Sequence, residues 1–168
     1  MSKIAIVYGS STDNTKSVAE TIANKLSGEN VTLLDVSKLK ADDLNAYPNL
    51  ILGTSTWGLG DLQDDWEAFL SSLKAADLSN KTIAFFGLGD SGSYPDTFVD
   101  GMGLLYQAVQ GKNAKTIGAF PTDGYDYDAS QAEVDGKFVG VAIDEDNESD
   151  KTDERLNAWI ENIKPLFS

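Results

Sequence analysis

Three short stretches of this chain collect side chains suited to holding a phosphate and a flat ring. The first is Gly9-Ser10-Ser11-Thr12-Asp13-Asn14-Thr15. It follows the strand-like run Lys3–Tyr8 and opens a helical pattern over Thr15–Leu26, with Val18, Ala19, Ile22 and Leu26 on one face. A helix start offers unpaired N–H groups and partial positive charge, both suited to a phosphate. Ser10, Ser11, Thr12 and Thr15 add hydroxyls and Asn14 adds an amide. No Lys or Arg lies in the loop (Lys16 follows it), and the Walker pattern that neutralises a triphosphate is missing. A hydroxyl-rich cradle without a cation suits one terminal monophosphate. On these residues alone a well-capped helix is an equal alternative.

The second stretch is Thr54-Ser55-Thr56-Trp57-Gly58-Leu59-Gly60-Asp61, and the third runs from Gly87-Leu88-Gly89-Asp90 through Tyr94 to Thr97. Each sets a large aromatic among glycines, which supply no packing partners for a core but leave room for a flat ligand. One such aromatic is ordinary surface packing. Two in neighbouring loops, beside a phosphate cradle, are much less easily dismissed as packing.

The elements that position these loops alternate. Strand patterns over Lys3–Tyr8, Val31–Val36, Leu50–Thr54, Thr82–Gly87 and Lys115–Phe120 are separated by helical ones. Trp66, Phe69, Leu70 and Leu73 fall at i, i+3, i+4 and i+7; Phe98–Val109 reads as a further helix, and Leu39–Leu44 as a short helical piece. Leu156, Trp159, Ile160 and Ile163 repeat the spacing in a last helix, with Thr152 as its expected N-cap. The class is α/β: a doubly wound, five-stranded parallel sheet with helices on both faces. Ligands of such sheets bind beyond the carboxyl ends of the strands at a topological switch point, which is where the three loops fall. A polar segment, 121–137, with Tyr125 and Tyr127, separates Lys115–Phe120 from the apolar run Phe138–Ile143 and reads as an insertion in the last strand. One of those tyrosines is expected to pack and the other to be exposed. The run Asp144–Asp150 reads as a solvated loop.

Composition narrows the chemistry. The 168 residues suit one domain and one core. There is no cysteine and no histidine. Disulfides, thiolate metal sites and the commonest general base are therefore absent, and no metal site is expected. Chemistry beyond that of carboxylates, Lys, Tyr and hydroxyls has to come from a cofactor. The net charge of −14 repels nucleic acid and anionic lipid and attracts partners with basic faces. No apolar run is long enough to span a membrane, and no signal-peptide pattern precedes the first strand, so a cytoplasmic protein is expected.

The three loops resemble those of the flavodoxin family, over nearly the whole chain, and the 121–137 segment resembles the insertion of the long-chain subfamily. The resemblance implies a flavodoxin-like fold binding FMN non-covalently. By it, Ser10, Ser11, Thr12, Asp13, Asn14 and Thr15 would hold the phosphate. Trp57 would cover the inner face of the isoalloxazine and Tyr94 the outer face. Backbone groups at Ser55, Thr56, Gly58, Leu59 and Gly60, and at Leu88, Gly89 and Asp90, would meet the ring edge. Thr97 stands where the family often has Asn or another polar residue. The family cradle usually reads Thr-Gly where this chain reads Thr12-Asp13. Either Asp13 caps the helix and faces solvent, or its charge opposes the phosphate.

The implied function is a low-potential one-electron carrier, a monomer without substrate turnover of its own, cycling mainly between semiquinone and hydroquinone. Gly58 would allow the peptide after Trp57 to flip toward flavin N5. Asp61, Asp64, Asp65, Asp90, Asp96 and Asp100 would raise the energy of the fully reduced anion. The implied partners include a ferredoxin–NADP reductase, photosystem I, nitrogenase or a pyruvate oxidoreductase. The main rival is an FMN-dependent NAD(P)H:quinone reductase of the same fold; Tyr94 over the ring and the single Arg155 weigh against it. A phospho-accepting signalling domain would need acids after the first strand, where Tyr8-Gly9-Ser10 stands, and a non-redox phosphate module leaves Trp57 and Tyr94 unexplained.

Overall fold

A computed structural model describes residues 3–9, 13–26, 30–57 and 60–167, with the backbone alone at Trp57. The apolar runs form the sheet. Strands β1 (Lys3–Tyr8), β2 (Asn30–Asp35), β3 (Asn49–Trp57) and β5 (Thr82–Leu88) lie parallel in the order β5-β3-β1-β2. A two-residue strand β4 (Asp61–Leu62) folds back antiparallel on the end of β3. Residues 50–52 and 83–86 are fully buried, as central parallel strands covered on both faces require. Helices α1 (Asn14–Lys25) and α5 (Thr152–Ile163) pack together over one face; α2 (Asp64–Ala75) and α3 (Asp100–Ala108) pack together over the other.

The fifth strand is broken in two. Strand β6 (Lys115–Thr116) lies beside the start of β5, and β10 (Val141–Ile143) beside its end, Phe86–Leu88. Between them, β7 (Phe120–Pro121), β8 (Glu133–Val134) and β9 (Lys137–Phe138) form a separate antiparallel sheet. Asp135 and Gly136 join β8 to β9 with both φ values positive, 54° and 81°, the backbone a tight hairpin turn wants. The expected strand over Lys115–Phe120 is therefore only its first two residues, because the chain leaves the sheet at Ile117 to build the insertion.

The insertion is pinned by its aromatics. Tyr125 Oη donates to the carbonyl of Ala142 at 2.6 Å, and the Arg155 guanidinium lies 3.8 Å over the Tyr125 ring. Arg155 also donates to Gly124 O and to Glu148, at 3.1 and 3.0 Å. Tyr127 donates to Glu133 and stacks against Phe98 and Phe138, and burial raises its pKa to about 12, with the Glu133 carboxylate adding to the rise. Both tyrosines pack, contrary to the expectation that one would be exposed, because Phe98 and Phe138 present an apolar face wide enough for two rings.

Two further expectations are corrected. The run after β10 is not a solvated loop. Asp144 is fully buried and caps a helical turn, α4 (Glu145–Glu148), accepting from Asn147 N at 3.1 Å. Thr152 is the first residue of α5 and not its cap; a 3-10 turn over Ser149–Lys151 runs directly into that helix.

Candidate functional site

The register brings the three loops to one edge of the sheet. Tyr8, ending β1, lies opposite Gly53 of β3, and Ser55 lies opposite Leu88, ending β5. The chain order reverses beside β1, whose neighbours are β2 and β3, so the crevice lies at the switch point. Among the residues expected there, Ser10, Ser11, Thr12, Gly58 and Leu59, and the side chain of Trp57, lie outside the described residues.

In the first loop, Asp13 stands immediately before α1 in the left-handed region, φ 68° and ψ −7°. Its carbonyl accepts from Ser17 N at 2.9 Å and opens the helix, but its side chain makes no capping hydrogen bond and is exposed. Asp13 thus occupies the N-cap position with its side chain turned to solvent, as one alternative expected, but caps through its carbonyl and not its carboxylate. Asn14 begins the helix and is exposed, while Thr15 is buried.

The second loop grows from β3. Thr56 and Trp57 pair with Leu62 and Asp61, so the chain doubles back tightly through Gly60, whose φ of 103° suits glycine. Helix α2 fixes this turn from below. Gln63 caps the helix, accepting from the amides of Asp65 and Trp66 at 3.1 and 3.2 Å. Trp66, fully buried, donates from Nε1 to Gly53 O at 2.7 Å. Helix α3 fixes it from the side: Thr56 Oγ1 accepts from Gly101 N at 2.9 Å.

The third loop carries Tyr94, whose side of the crevice is open; the residue is 41% exposed. Tyr94 N donates to Asp90 O at 2.8 Å, Ser93 N to Asp90 Oδ1 at 2.9 Å, and Thr97 N to Tyr94 O at 3.4 Å. Gly89 N donates to Ile143 O at 3.0 Å and is committed to the sheet edge, so a contact from Leu88–Asp90 falls to the other groups of that stretch. The loop is moored to the buried Asp144, which accepts from Ser91 N and from Asn147 Nδ2, and Asn147 also reaches Asp90 at 2.8 Å.

The acids expected to crowd this edge divide by environment. Asp61, Asp64 and Asp96 are exposed, and Asp65 and Asp90 are half-buried. Burial pushes the Asp90 carboxyl up, but hydrogen bonds from Asn147 and Ser93 outweigh it and hold the group below its ordinary value. Asp146 is raised by burial and by the neighbouring Asp90 and Asp144 carboxylates. Asp100 differs from the rest. It is 2% exposed at the start of α3, accepts from Gln131 N at 2.7 Å and Gln131 Nε2 at 3.2 Å, and burial raises its pKa despite those bonds.

Two hydroxyls in the crevice walls, Ser55 Oγ and Thr97 Oγ1, are buried without a partner among the described residues. Buried polar atoms are nearly always paired, and those that are not recur at ligand sites. Ser55 and Thr97 come from the second and third loops, so each of those loops carries one such hydroxyl. The mooring residues Gln63, Asp144 and Gln131 were not legible in the sequence. Gln131 and Asp144 have partners far along the chain, whereas Gln63 caps α2 locally but is not among the usual capping residues.

The architecture has close counterparts. The family model described as flavodoxin matches residues 6–159. A flavodoxin of Synechocystis sp. is 44% identical over 99% of both chains. A flavodoxin of Nostoc sp. is 46% identical over 98% of this chain and 97% of its own. The solved flavodoxin of Fusobacterium nucleatum, bound to flavin mononucleotide, superposes with a TM-score of 0.95 over the whole of both chains at 32% identity. The switch-point crevice, the split last strand and these likenesses at near-complete coverage agree: the chain belongs to the flavodoxin family.

Proposed function

We propose that the crevice holds FMN non-covalently and that the chain carries electrons one at a time between larger redox enzymes, without turning over a substrate of its own. The carrying observation is the convergence of three loops beyond the carboxyl ends of β1, β3 and β5, the second and third each carrying a buried hydroxyl with no partner among the described residues. When bound, FMN supplies a ring that accepts and releases single electrons. The polypeptide binds, orients and shields it.

In this reading the amides and hydroxyls from Ser10 to Thr15, Asp13 included, hold the phosphate at the start of α1, where the helix dipole favours negative charge. Trp57 and Tyr94 cover the two faces of the ring. Ser55 Oγ and Thr97 Oγ1 donate toward it, and backbone groups from Thr56 to Gly60 and from Leu88 to Asp90 meet its edge. The acids around Asp61, Asp65, Asp90 and Asp96 oppose added negative charge on the ring, which favours donation of the second electron. The net charge of −14 suits a monomer, free in the cytoplasm, that docks on basic faces; a ferredoxin–NADP reductase, photosystem I, nitrogenase or a pyruvate oxidoreductase would present one. No helix among the described residues is long and apolar enough to cross a membrane.

The test is reconstitution. Apoprotein titrated with FMN should quench the flavin's fluorescence with one-to-one stoichiometry, and spectroelectrochemistry should resolve two separate one-electron steps. Apoprotein that leaves FMN fluorescence unchanged would overturn the reading. Rapid oxidation of NAD(P)H by the purified protein alone would favour the reductase instead.

A further inference from the structure

The insertion lies outside the three loops, yet its middle third bonds directly to the third of them and reaches the second through Asp100. Asp128 N and Ala129 N both donate to Pro95 O, at 2.8 and 3.0 Å, and Phe98 N donates back to Ala129 O at 3.3 Å. These bonds bracket Asp96 and Thr97, just after Tyr94. Two residues on, Gln131 gives its backbone N–H and its side-chain amide to Asp100. The same carboxylate abuts the second loop: a Cβ added at Gly60 would lie 2.7 Å from Asp100 Oδ2. One residue further, Gly101 N holds Thr56. The contact between α3 and the insertion is close enough to need glycine. A Cβ at Gly103 would lie 2.6 Å from the carbonyl of Gln131. The first turn of α3 is therefore wedged between the insertion on one side and the end of β3 with its turn on the other.

We infer that the insertion is part of the cofactor-holding machinery, with Asp128–Ala132 bracing both ring-facing loops and Asp100 acting as the positioning residue that links this brace to the turn at Gly60. A buried carboxylate with two donors from a single residue fixes both partners in one geometry. It is costly to bury, and it holds its place because the donors offset that cost. Slackening it lets the turn and the Tyr94 loop sample arrangements that do not fit the ring, and the apparent affinity falls by the fraction of molecules left competent.

The inference rests on the FMN reading, and the experiment separates the two. Asp100→Ala, Asp100→Asn, Gln131→Ala and the Asp100→Ala/Gln131→Ala pair are compared with the wild type. FMN affinity, both reduction potentials and hydrogen exchange of the apoprotein over residues 53–62 and 90–98 are measured. Asp100→Ala is expected to weaken FMN about tenfold and to speed exchange in both segments, because it strips both Gln131 donors of their acceptor. Asp100→Asn, which keeps the shape and one acceptor, should recover most of the affinity. Gln131→Ala, at an exposed position on the insertion, should weaken FMN about threefold, and the pair should lose less than the product of the two. Wild-type affinity and exchange in Gln131→Ala would overturn the inference, as would additive losses in the pair. If Asp100→Ala does not fold, Gln131→Ala decides. A wild type that does not bind FMN would overturn the functional reading itself.

Discussion

Replacing Asp13 by glycine should tighten FMN binding, and the structure separates the two reasons it could. The first is conformational. Asp13 sits at φ 68°, a region that costs an L-residue about 1 kcal/mol and glycine almost nothing. Glycine also gives back about 0.5–1 kcal/mol through the freer unfolded chain, and the helix loses a carboxylate near its positive end, worth about 0.3–1 kcal/mol. These contributions nearly cancel, and with the loop in one conformation they act equally on free and bound protein. They move stability by less than about 1 kcal/mol and leave affinity alone. The second reason is charge. The Asp13 side chain is exposed and accepts no capping bond among the described residues, so its charge stands at the start of α1, in the loop read as the phosphate cradle.

A phosphate dianion and a carboxylate about 6 Å apart in water repel by about 1.4 kcal/mol, and 0.15 M salt roughly halves that. Removing the charge should therefore tighten FMN about tenfold at low salt and about threefold at physiological salt. The assay is a fluorescence titration of apoprotein at both ionic strengths, with Asp13→Asn as the partner variant. Asparagine tolerates the left-handed region and carries no charge, so it should reproduce the glycine result. Equal or weaker affinity in both variants at low salt would show that the carboxylate does not act on the phosphate. A gain confined to glycine would assign the effect to backbone freedom.

Other perturbations read the scaffold. Burial pushes the Glu148 carboxyl up, but the Lys151 and Arg155 bonds outweigh that and hold its pKa below the ordinary 4.5. Its contribution is therefore present above about pH 4.5 and lost as pH falls through the lowered value, so in urea titrations Glu148→Gln should lose stability at pH 7 and less at pH 4. Gly103→Ala forces a methyl against the Gln131 backbone and should cost about 1–3 kcal/mol in the same titrations of apoprotein. Trp66→Phe leaves the Gly53 carbonyl without its 2.7 Å donor and should cost about 1–3 kcal/mol.

What was legible in the sequence and what was not divide along physical lines. Periodicity and strand-end loops are local properties, so the sheet, its helices and the three loops could be read directly. The hairpin at Asp135-Gly136 follows from residues that tolerate positive φ. Asp100 could not be read correctly, because its two donors come from Gln131, thirty-one positions away, and a lone acid in a loop-to-helix junction looks solvated. Asp144 was hidden in the same way inside an acidic run, although Ser91 and Asn147 surround it. Tyr125 and Tyr127 could not be sorted, since the face that takes both is assembled from Phe98 and Phe138.

Val99 shows why such contacts matter to the crevice. It is fully buried and stands at φ 49°, a left-handed backbone that a β-branched residue adopts only under constraint, at a cost of about 1–3 kcal/mol. Nothing in its own sequence neighbourhood demands this. The constraint comes from both sides: Phe98 N is tied to the insertion at Ala129, and Gly101 N to Thr56 on β3. Between those two ties the chain has to turn sharply. The turn sets Thr97 at the crevice wall and puts the buried Asp100 beside Gly60. The strained residue is thus the consequence of joining a loop that faces a ligand to a helix that must also hold the opposite wall. The insertion, by fixing one end of that join, holds the chain in a conformation it would otherwise leave.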